Sequence, residues 1–273
     1  MPTLPRFVLS FAASDPTGGA GMQADLLTFA SMGCHPLSVL TAITVQDTHG
    51  VEAIQPVAAD WVSDQARALL DEFRVAAFKL GVLGSAANAA AISRVIAAHP
   101  GVPMVLDPVL ASARGDALAS GEILDSLREL LLPLATVVTP NSLEARALAA
   151  RGDDSGAPAL EECARRLLEL GCRHVLITGT HEDTPEVTNT LFSAGDAPRS
   201  AHWTRLPGSY HGSGCTLAAA IAARLAHGAG VDQAVREAQE FTWQALATGY
   251  RPGSGQHLPD RFFWARGIAA AAP

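Results

Sequence analysis

The sequence predicts an α/β fold, a three-layer αβα sandwich built on a mostly parallel, doubly wound central sheet. Apolar runs rich in β-branched residues alternate with helical patterns along the chain, and this alternation is typical of parallel strands joined by crossover helices. The predicted strands are nearly continuous apolar runs, as expected where helices cover both faces of a sheet. The 273 residues, 48% of them hydrophobic, are enough for one large core.

Strands are predicted where apolar and β-branched residues run together until a glycine, a proline or a polar cluster ends the run. The first seven lie at 6–14, 37–46, 51–57, 76–84, 103–110, 135–141 and 173–180. Two short extended segments, 187–192 and 201–207, follow each other without a helix between them, which predicts an antiparallel edge.

Helices are predicted where apolar residues recur every three or four positions. In the helix at 59–73, this pattern nominates Trp61, Ala68 and Leu69 as core contacts. The predicted helical segments are 21–33, 59–73, 86–98, 121–132, a segment that starts near Ser142, 159–170, 214–227 and 231–248.

No internal repeat and no long linker divides the chain, so we expect a single domain over residues 1–273 with a core of about 7–248. The tail, 249–273, has a loop rich in Gly and Pro followed by an aromatic patch at 262–264. We expect this patch to pack on the body of the protein or on a partner subunit.

Charge and composition exclude several function classes. The net charge of −8 and the scattered positions of the 19 basic residues argue against a nucleic-acid partner, which needs clustered Lys and Arg. No segment approaches the ~20 apolar residues that span a bilayer, so we expect no membrane partner. The four cysteines form no C-x-x-C pair and are interpreted as free thiols, which predicts a reducing, cytoplasmic location.

Polar, Gly-rich or Pro-bearing segments follow six of the predicted strands. In open parallel sheets, ligands bind beyond the carboxyl ends of the strands, so these segments predict one small-molecule site at that edge. The segments are SDPTGGAGMQAD, QDTHG, GVLGS, DPVLASARGD, TPNSLE and TGTH.

The segment HGSGCT predicts an anion-binding turn. Gly212 and Gly214 allow a tight turn with bare amide groups, and the helix that follows adds its positive end. A thiol at this helix start is expected to have its pKa lowered, which would let Cys215 accept a proton from a substrate hydroxyl. The alternative is that Cys215 is a buried structural thiol.

Acidic residues at two other strand ends are candidates for a metal or phosphate site. Asp107 ends a buried strand, where a carboxylate is costly unless it is paired or bound to a metal. Asn141 and Glu144 stand at a predicted helix start. They form either an ordinary capping box or a pair facing the crevice, in which Glu144 would hold Mg²⁺ through water.

A competing interpretation is a Rossmann-type NAD-dependent oxidoreductase. The segment GAGMQA fits the loose G-x-G-x-x-G/A fingerprint, and Asp47 lies near the end of the second strand. Two features argue against it. Asp-Pro-Thr separates these glycines from the first strand, and the Gly-rich turn at Cys215 has no role in such a protein.

Taken together, these segments resemble the hydroxymethylpyrimidine/phosphomethylpyrimidine kinases of thiamine biosynthesis, within the ribokinase-like superfamily. The resemblance covers about 7–248 and is carried in order by SDPTGGAGMQADLLTF, TAITVQDTHGV, KLGVLGS, VLDPV, TPNSLEA and HGSGCTLAAAIA. It implies a ribokinase-like fold and a homodimer. It also implies an ATP- and Mg²⁺-dependent kinase for 4-amino-5-hydroxymethyl-2-methylpyrimidine and its monophosphate, with a monovalent cation as a further candidate cofactor.

The resemblance also implies a role for each site residue. The implied groups are catalytic Gly212, Ser213, Gly214 and Cys215; substrate-binding Ala20, Asp25, Gln46, Val82 and Val109; nucleotide-binding Asn141, Thr178 and His211; and metal-binding Asp107 and Glu144. Gln46 suits an aminopyrimidine because its amide offers both a donor and an acceptor.

Two positions depart from the family pattern. Thr178 stands where the family commonly has a lysine, and Gln239 stands where the last helix often has one. Both lysines are associated with the phosphates of ATP, so we expect compensating contacts to the nucleotide. Two alternatives stay open beside the oxidoreductase: a pyridoxal kinase of the same fold, and a non-catalytic pyrimidine-binding protein.

Overall fold

Strands and helices alternate through the described part of the chain, which comprises residues 4–111, 118–152, 154 and 156–269 of this computed structural model. The strands are β1 (Arg6–Ala13), β2 (Cys34–Gln46), β3 (Val51–Pro56), β4 (Val75–Leu80), β5 (Met104–Leu106), β6 (Val137–Val138), β7 (His174–Thr178), β8 (Glu186–Ser193) and β9 (Arg199–Thr204). The helices are α1 (Gly21–Ser31), α2 (Ala59–Leu70), α3 (Ala86–Ala97), α4 (Gly121–Ser126), α5 (Ser142–Ala149), α6 (Leu160–Glu169), α7 (Ser213–Ala226), α8 (Val231–Ala247) and α9 (Phe263–Ala269).

Helix α4 is shorter than the segment predicted at 121–132. After Ser126 the chain makes a π-helical turn over Leu127–Leu131 and a 3-10 turn over Leu132–Leu134. Pro133 has no N–H to donate to the carbonyl four residues earlier, so the α-helical hydrogen-bond ladder cannot continue through it.

The strands of the described ranges form a nine-stranded sheet in the order β3-β2-β1-β4-β5-β6-β7-β8-β9. The six strands from β2 to β7 in this order pair in parallel, whereas β3, β8 and β9 pair antiparallel. The mostly parallel sheet and its antiparallel 187–207 edge are therefore as predicted. Strand β1 lies between β2 and β4. The chain runs from β1 to β2 on one side and later crosses from β3 to β4 on the other side, which opens a crevice beyond the carboxyl end of β1.

Helices cover both faces of this sheet and make the three predicted layers. On one face, α2 to α6 bury side chains such as Ile92 against Phe11 of β1. On the other face, α1, α7 and α8 bury side chains such as Ile221 against Val105 of β5. Among the described residues, no helix combines the length and the apolar character that crossing a bilayer requires.

The core face of α2 is not the one predicted. Val62 and Ala66 are buried and Leu69 is half-buried, whereas Trp61 is 68% exposed and Ala68 is also exposed. Positions i, i+4 and i+7 share one side of a helix, and the buried side starts at Val62. The apolar spacing nominated Trp61, but the phase of the helix turns it outward.

The aromatic patch at 262–264 packs on the body of the chain. The ring centroids of Phe263 and Phe241 of α8 are 5.6 Å apart, and Trp264 Nε1 donates to Ser31 Oγ at the end of α1 over 2.9 Å. The tail, described as far as residue 269, is thereby attached to the helix layer that contains α7.

Asn88 of α3 links three segments beneath the crevice. Its Nδ2 lies 2.9, 3.0 and 3.1 Å from the carbonyl oxygens of Leu83, Thr41 and Val57, and the residue is fully buried.

Asn88→Leu removes this donor, so we expect the free energy of unfolding to fall by about 2–4 kcal/mol, measured by urea denaturation. Gln233→Leu, at an exposed position of α8, is the control and should change it by less than about 0.5 kcal/mol. Equal losses in both variants would contradict the assignment.

Candidate active site

A cavity of about 590 Å³ lies at the carboxyl edge of the sheet. All the site residues predicted from the sequence line it except Asp25; they are Ala20, Gln46, Val82, Asp107, Val109, Asn141, Glu144, Thr178, His211, Gly212, Ser213, Gly214 and Cys215. Segments far apart in the sequence thus meet here because each follows the carboxyl end of a neighbouring strand.

Gly212 is the residue directly before helix α7, and this position requires a glycine. Its φ of 79° is in the left-handed region, and a Cβ there would overlap the carbonyl oxygen of Gly19. The three residues at the start of α7, 213–215, line the cavity, and their amide groups have no side-chain cap. Such uncapped amides at the positive end of a helix bind anions, so this turn supplies the predicted cradle.

Asp15 organises the loop that meets this cradle, and the sequence analysis did not assign it. Its buried carboxylate accepts from Thr17 N at 2.8 Å, Ala20 N at 2.6 Å and His211 Nε2 at 2.9 Å. Burial alone would raise the pKa of Asp15, but the hydrogen bonds from His211, Thr17 and Ala20 outweigh it and hold the pKa below its usual value. The acid directly before a proline in SDPTGG was the available signal.

A buried ionic cluster lies behind the cavity. Lys79, the one lysine of the sequence, is fully buried in β4, with its Nζ 2.9 Å from Asp25 Oδ1 and 3.8 Å from Asp107 Oδ2. Burial alone would lower the pKa of Lys79, but Asp25, Cys215 and Asp107 raise it above its usual value, so the ammonium stays charged. A lysine inside an apolar strand was a signal that the sequence analysis did not use.

Asp25 does not occupy the position expected of a substrate ligand. It is fully buried, accepts from Ser10 Oγ at 2.6 Å and pairs with Lys79, and it does not line the cavity. A carboxylate behind the wall cannot reach a ligand in this structure. The physical reason is that Asp25 lies one turn inside α1 on the side that packs against the sheet, where Lys79 neutralises it.

The Cys215 thiol is on the cavity wall, but its ionisation differs from the prediction. Burial raises the pKa of Cys215 to about 12; the neighbouring Lys79 lowers it, and Asp107 and Asp25 raise it further. The predicted lowering by the helix start is wrong because removal from water and two carboxylates outweigh the helix end. The thiol is therefore protonated at neutral pH.

The carboxylates of Asp107 and Glu144 share the cavity with the cradle. Asp107 is 4% exposed and its Oδ2 has no hydrogen-bond partner among the described residues. Burial, followed by the charge of Asp107, raises the pKa of Glu144 to about 8. Asn141 and Glu144 also form the capping box of α5, with Asn141 N donating to Glu144 Oε2 at 2.9 Å. The capping box is therefore formed while both residues line the cavity, and the role of Glu144 towards Mg²⁺ stays a prediction.

No group of three metal-ligating side chains occurs within the described ranges. Asp107 and Glu144 nevertheless fit a magnesium ion, which is commonly held by one or two carboxylates together with substrate phosphates. Asp107 Oδ2 makes no hydrogen bond among the described residues and lies 3.8 Å from the Lys79 ammonium; this open hydrogen-bonding capacity is the observation that supports the fit.

The end of the cavity beside β2 combines apolar walls with one amide. Gln46 Nε2 donates to Thr44 Oγ1 at 2.7 Å, and Thr44 Oγ1 donates to Ser14 O at 2.7 Å. This chain fixes the orientation of Gln46 beside the apolar side chains of Val82 and Val109. An amide held in this way suits a flat heterocycle with a polar edge.

The opposite end of the cavity holds the two positions that depart from the family pattern. Gln239 Oε1 accepts from Asn189 Nδ2 and from Trp203 Nε1, both at 3.0 Å. The backbone of Thr178 pairs with that of Asn141 in an isolated parallel β-bridge. Arg205 also lines this end, and its guanidinium is held by the carbonyl oxygens of Thr180, Glu182 and Thr184.

Asp47 has a local role in place of the one expected in an oxidoreductase. Its carboxylate accepts from His49 N at 2.7 Å and Gly50 N at 3.2 Å in the turn between β2 and β3. The segment GAGMQA, residues 19–24, leads directly into α1, and Ala20 N in it donates to Asp15. Its glycines therefore belong to the loop that Asp15 holds and not to a separate dinucleotide-binding turn.

Known proteins are similar to this chain over most of its length. The family model described as phosphomethylpyrimidine kinase matches residues 15–260. A hydroxymethylpyrimidine/phosphomethylpyrimidine kinase from Streptomyces coelicolor is 40% identical over 259 residues, covering 93% of this chain and 93% of that protein. One from Mycobacterium tuberculosis is 42% identical over 257 residues, covering 93% and 92%.

Solved structures share the fold. The pyridoxal kinase from Staphylococcus aureus in complex with pyridoxal matches with a TM-score of 0.87 and 29% identity over 97% of this chain and 96% of that one. Its complex with ADP matches with a TM-score of 0.86 and 30% identity over the same shares. A phosphomethylpyrimidine kinase from Clostridium difficile matches with a TM-score of 0.76 and 31% identity over 88% and 99%. With a family model that spans most of its length and relatives at about 40% identity, this chain belongs to the phosphomethylpyrimidine kinase family.

Proposed function

We propose that this chain is an ATP- and Mg²⁺-dependent kinase that phosphorylates 4-amino-5-hydroxymethyl-2-methylpyrimidine and its monophosphate in thiamine biosynthesis. One observation carries the proposal. The amide cradle at 212–214, the Cys215 thiol and the carboxylates of Asp107 and Glu144 meet in a single cavity. Phosphoryl transfer asks a protein mainly for alignment and for stabilisation of charge on the transferring group, and these are the parts that supply both.

The pyrimidine would bind beside β2. Gln46 lines the cavity and its Nε2 is engaged with Thr44, so its carbonyl oxygen would accept from an exocyclic amine. Val82 and Val109 would contact the ring faces. The names of the curated relatives, which are hydroxymethylpyrimidine/phosphomethylpyrimidine kinases, support this substrate class.

ATP would lie across the cradle towards Gln239 and Arg205. The ADP complex of the Staphylococcus aureus relative supports a nucleotide in this fold. Asp107 and Glu144 would hold Mg²⁺, and the bound ion would neutralise charge on the phosphate oxygens during transfer. With threonine at 178 and glutamine at 239, Arg205 is the side-chain cation at this end of the cavity among the described residues that line it.

The protonated thiol fits a loose transition state. The bond from the alcohol oxygen to the γ-phosphorus forms while the bond to the ADP oxygen breaks, and little negative charge builds on the alcohol before it is bonded. Cys215 therefore has to hold the hydroxyl beside the cradle, and it does not have to remove the proton early. The proton of the alcohol leaves on the phosphate of the product.

A pyridoxal kinase is the second candidate. The structures of the Staphylococcus aureus pyridoxal kinase, at a TM-score of 0.87, favour it. Pyridoxal and the pyrimidine are both flat heterocycles with a hydroxymethyl group, so the cradle and Cys215 serve either alcohol. The choice between them therefore depends on the residues around Gln46.

The enzyme would act as a homodimer. Ile43 and Val45 of β2 are each 56% exposed, on the side of the strand opposite to Thr44 and Gln46. Neighbouring apolar side chains on an edge hairpin are a surface that a second copy of the chain would cover.

A coupled assay of ADP release tests the proposed activity and its substrate in parallel reactions. We expect the pyrimidine alcohol to drive faster release than pyridoxal. Cys215→Ala should lower kcat by about a hundredfold, at the low end for a group acting on a reacting hydroxyl. Cys163→Ala, in a buried thiol of α6, should keep kcat. Absence of ADP release with both alcohols would leave a binding protein, and faster release with pyridoxal would favour the second candidate.

Gln46→Leu tests the pyrimidine end. Loss of the amide should weaken binding of the pyrimidine by about 10- to 100-fold, since the polar edge of the ring loses a hydrogen-bond partner, while the affinity for ATP changes by less than about twofold. Isothermal titration of each ligand measures both. Gln244→Leu, at an exposed position of α8, is the control. Equal losses for the two ligands would refute the assignment of Gln46.

Light scattering after size exclusion tests the dimer. The wild-type chain should elute at twice its 28.3 kDa mass. The pair Ile43→Glu and Val45→Glu should elute as the monomer, because two carboxylates cannot be buried together without partners. Leu130→Glu, on a different exposed surface, should leave the dimer intact. A monomeric wild-type protein would contradict the proposal.

A further inference from the structure

Arg261, in the C-terminal tail, is a cation buried behind the phosphate cradle. It is 3% exposed and lies between the β1–α1 loop and the start of α7. Its Nη2 donates to Gly19 O at 2.5 Å, its Nη1 to Gly18 O at 3.3 Å and its Nε to Thr216 Oγ1 at 3.1 Å. The tail therefore reaches the part of the cavity at which the phosphoryl group would be held.

All three acceptors of this guanidinium are neutral. No described carboxylate lies within ion-pair distance of Arg261: Asp15 is paired with His211, Asp25 with Lys79, and Asp260 with Arg266. Burial lowers the pKa of Arg261, and Asp25 and Asp15 attract the guanidinium only from beyond ion-pair distance. A buried guanidinium without a direct ion pair is costly, by several kcal/mol in general. A chain that keeps such a charge next to an anion site gives that charge a ligand to act on.

The contacts of Arg261 are also the contacts that shape the cradle. Gly19 O, which accepts from the guanidinium, is the atom against which the α-carbon of Gly212 packs. Thr216 Oγ1, the second acceptor, donates to Gly212 O at 2.8 Å in the first turn of α7. The guanidinium thus donates to an atom on each side of the turn at Gly212, namely Gly19 O and Thr216 Oγ1, and it lies next to the positive end of the helix.

We infer that Arg261 supplies positive charge to the phosphate cradle from behind it and holds the Gly18–Gly19 loop against Gly212. It is a positioning residue, since it does not line the cavity and touches no ligand. The inference rests on the proposed function for the identity of the anion as a transferring phosphoryl group. It gives the cradle a cation although no lysine lines the cavity.

The test compares an anionic with a neutral ligand on the same variants. Inorganic phosphate and the neutral pyrimidine alcohol are titrated calorimetrically into the full chain. Arg261→Gln keeps an amide donor for the loop but removes the charge, so the Kd for phosphate should rise by about tenfold and that for the alcohol by less than about twofold. Arg261→Lys keeps the charge and should hold the Kd for phosphate within about threefold of the wild type.

Arg251→Gln is the matched control, because this exposed arginine of the same tail also donates to backbone carbonyls, those of Ser254 and Gly255. It should leave both Kd values unchanged. Wild-type affinity for phosphate in Arg261→Gln would overturn the inference, as would an equal loss of both ligands in the glutamine and lysine variants, which is the mark of a purely structural role. If Arg261→Gln does not fold, Arg261→Met takes its place in the same comparison.

Phosphate is the probe because its binding does not depend on which alcohol the enzyme uses. A wild-type protein that binds phosphate but turns over no pyrimidine alcohol would refute the proposed substrate and leave the inference about Arg261 to be decided by the variants.

Discussion

The contact between the backbones of Gly19 and Gly212 is the constraint on which the site depends. The carbonyl oxygen of Gly19 packs where a Cβ at 212 would stand, so the loop and the start of α7 can approach only because residue 212 is a glycine. The same loop is held by Asp15 on one side and by Arg261 on the other. Any change that separates these two backbones moves the free amides of α7 away from the cavity, without touching a side chain that contacts a ligand.

The distribution of charge follows from the same arrangement. The cavity wall carries carboxylates, Asp107 and Glu144, while the cations Lys79 and Arg261 are buried behind it. Under the proposed function, the carboxylates in front would hold a metal–nucleotide complex, and Arg261 would add positive charge to the cradle from the rear. The net charge of −8 is compatible with phosphate binding, because the cradle would use backbone amides and one buried guanidinium instead of surface lysines.

The sequence was sufficient for the architecture and for most of the site, for physical reasons. Strands buried on both faces are continuous apolar runs, and the segments after parallel strands must meet at one edge, which is why residues as distant as Gln46 and Cys215 were placed together. The exposed side of α2 was wrong because periodicity does not give the phase of a helix against its neighbours. The substrate-binding role of Asp25 came from the family resemblance alone, and Asp25 is the predicted site residue that does not line the cavity. The pKa of Cys215 was wrong because burial and the two carboxylates beside it are three-dimensional facts. Asp15 and Lys79 carried local signals, an acid before a proline and a lysine in an apolar strand, that were not used. Their pairing with His211 and Asp25, like the contact of Arg261 with Gly19, joins residues far apart in the chain and could not be read from the sequence.

The burial of Lys79 has a practical consequence for work with the purified enzyme. As the sequence contains no other lysine and this one is enclosed in β4, the folded chain offers no ε-amine to solvent. Amine-directed labels would modify the native protein at its α-amino group, and tagging of the ε-amine would report that the sheet has opened. Immobilisation by amine chemistry would accordingly couple the native chain through its α-amino group, so coupling there or through an introduced surface thiol is the route that preserves the native state.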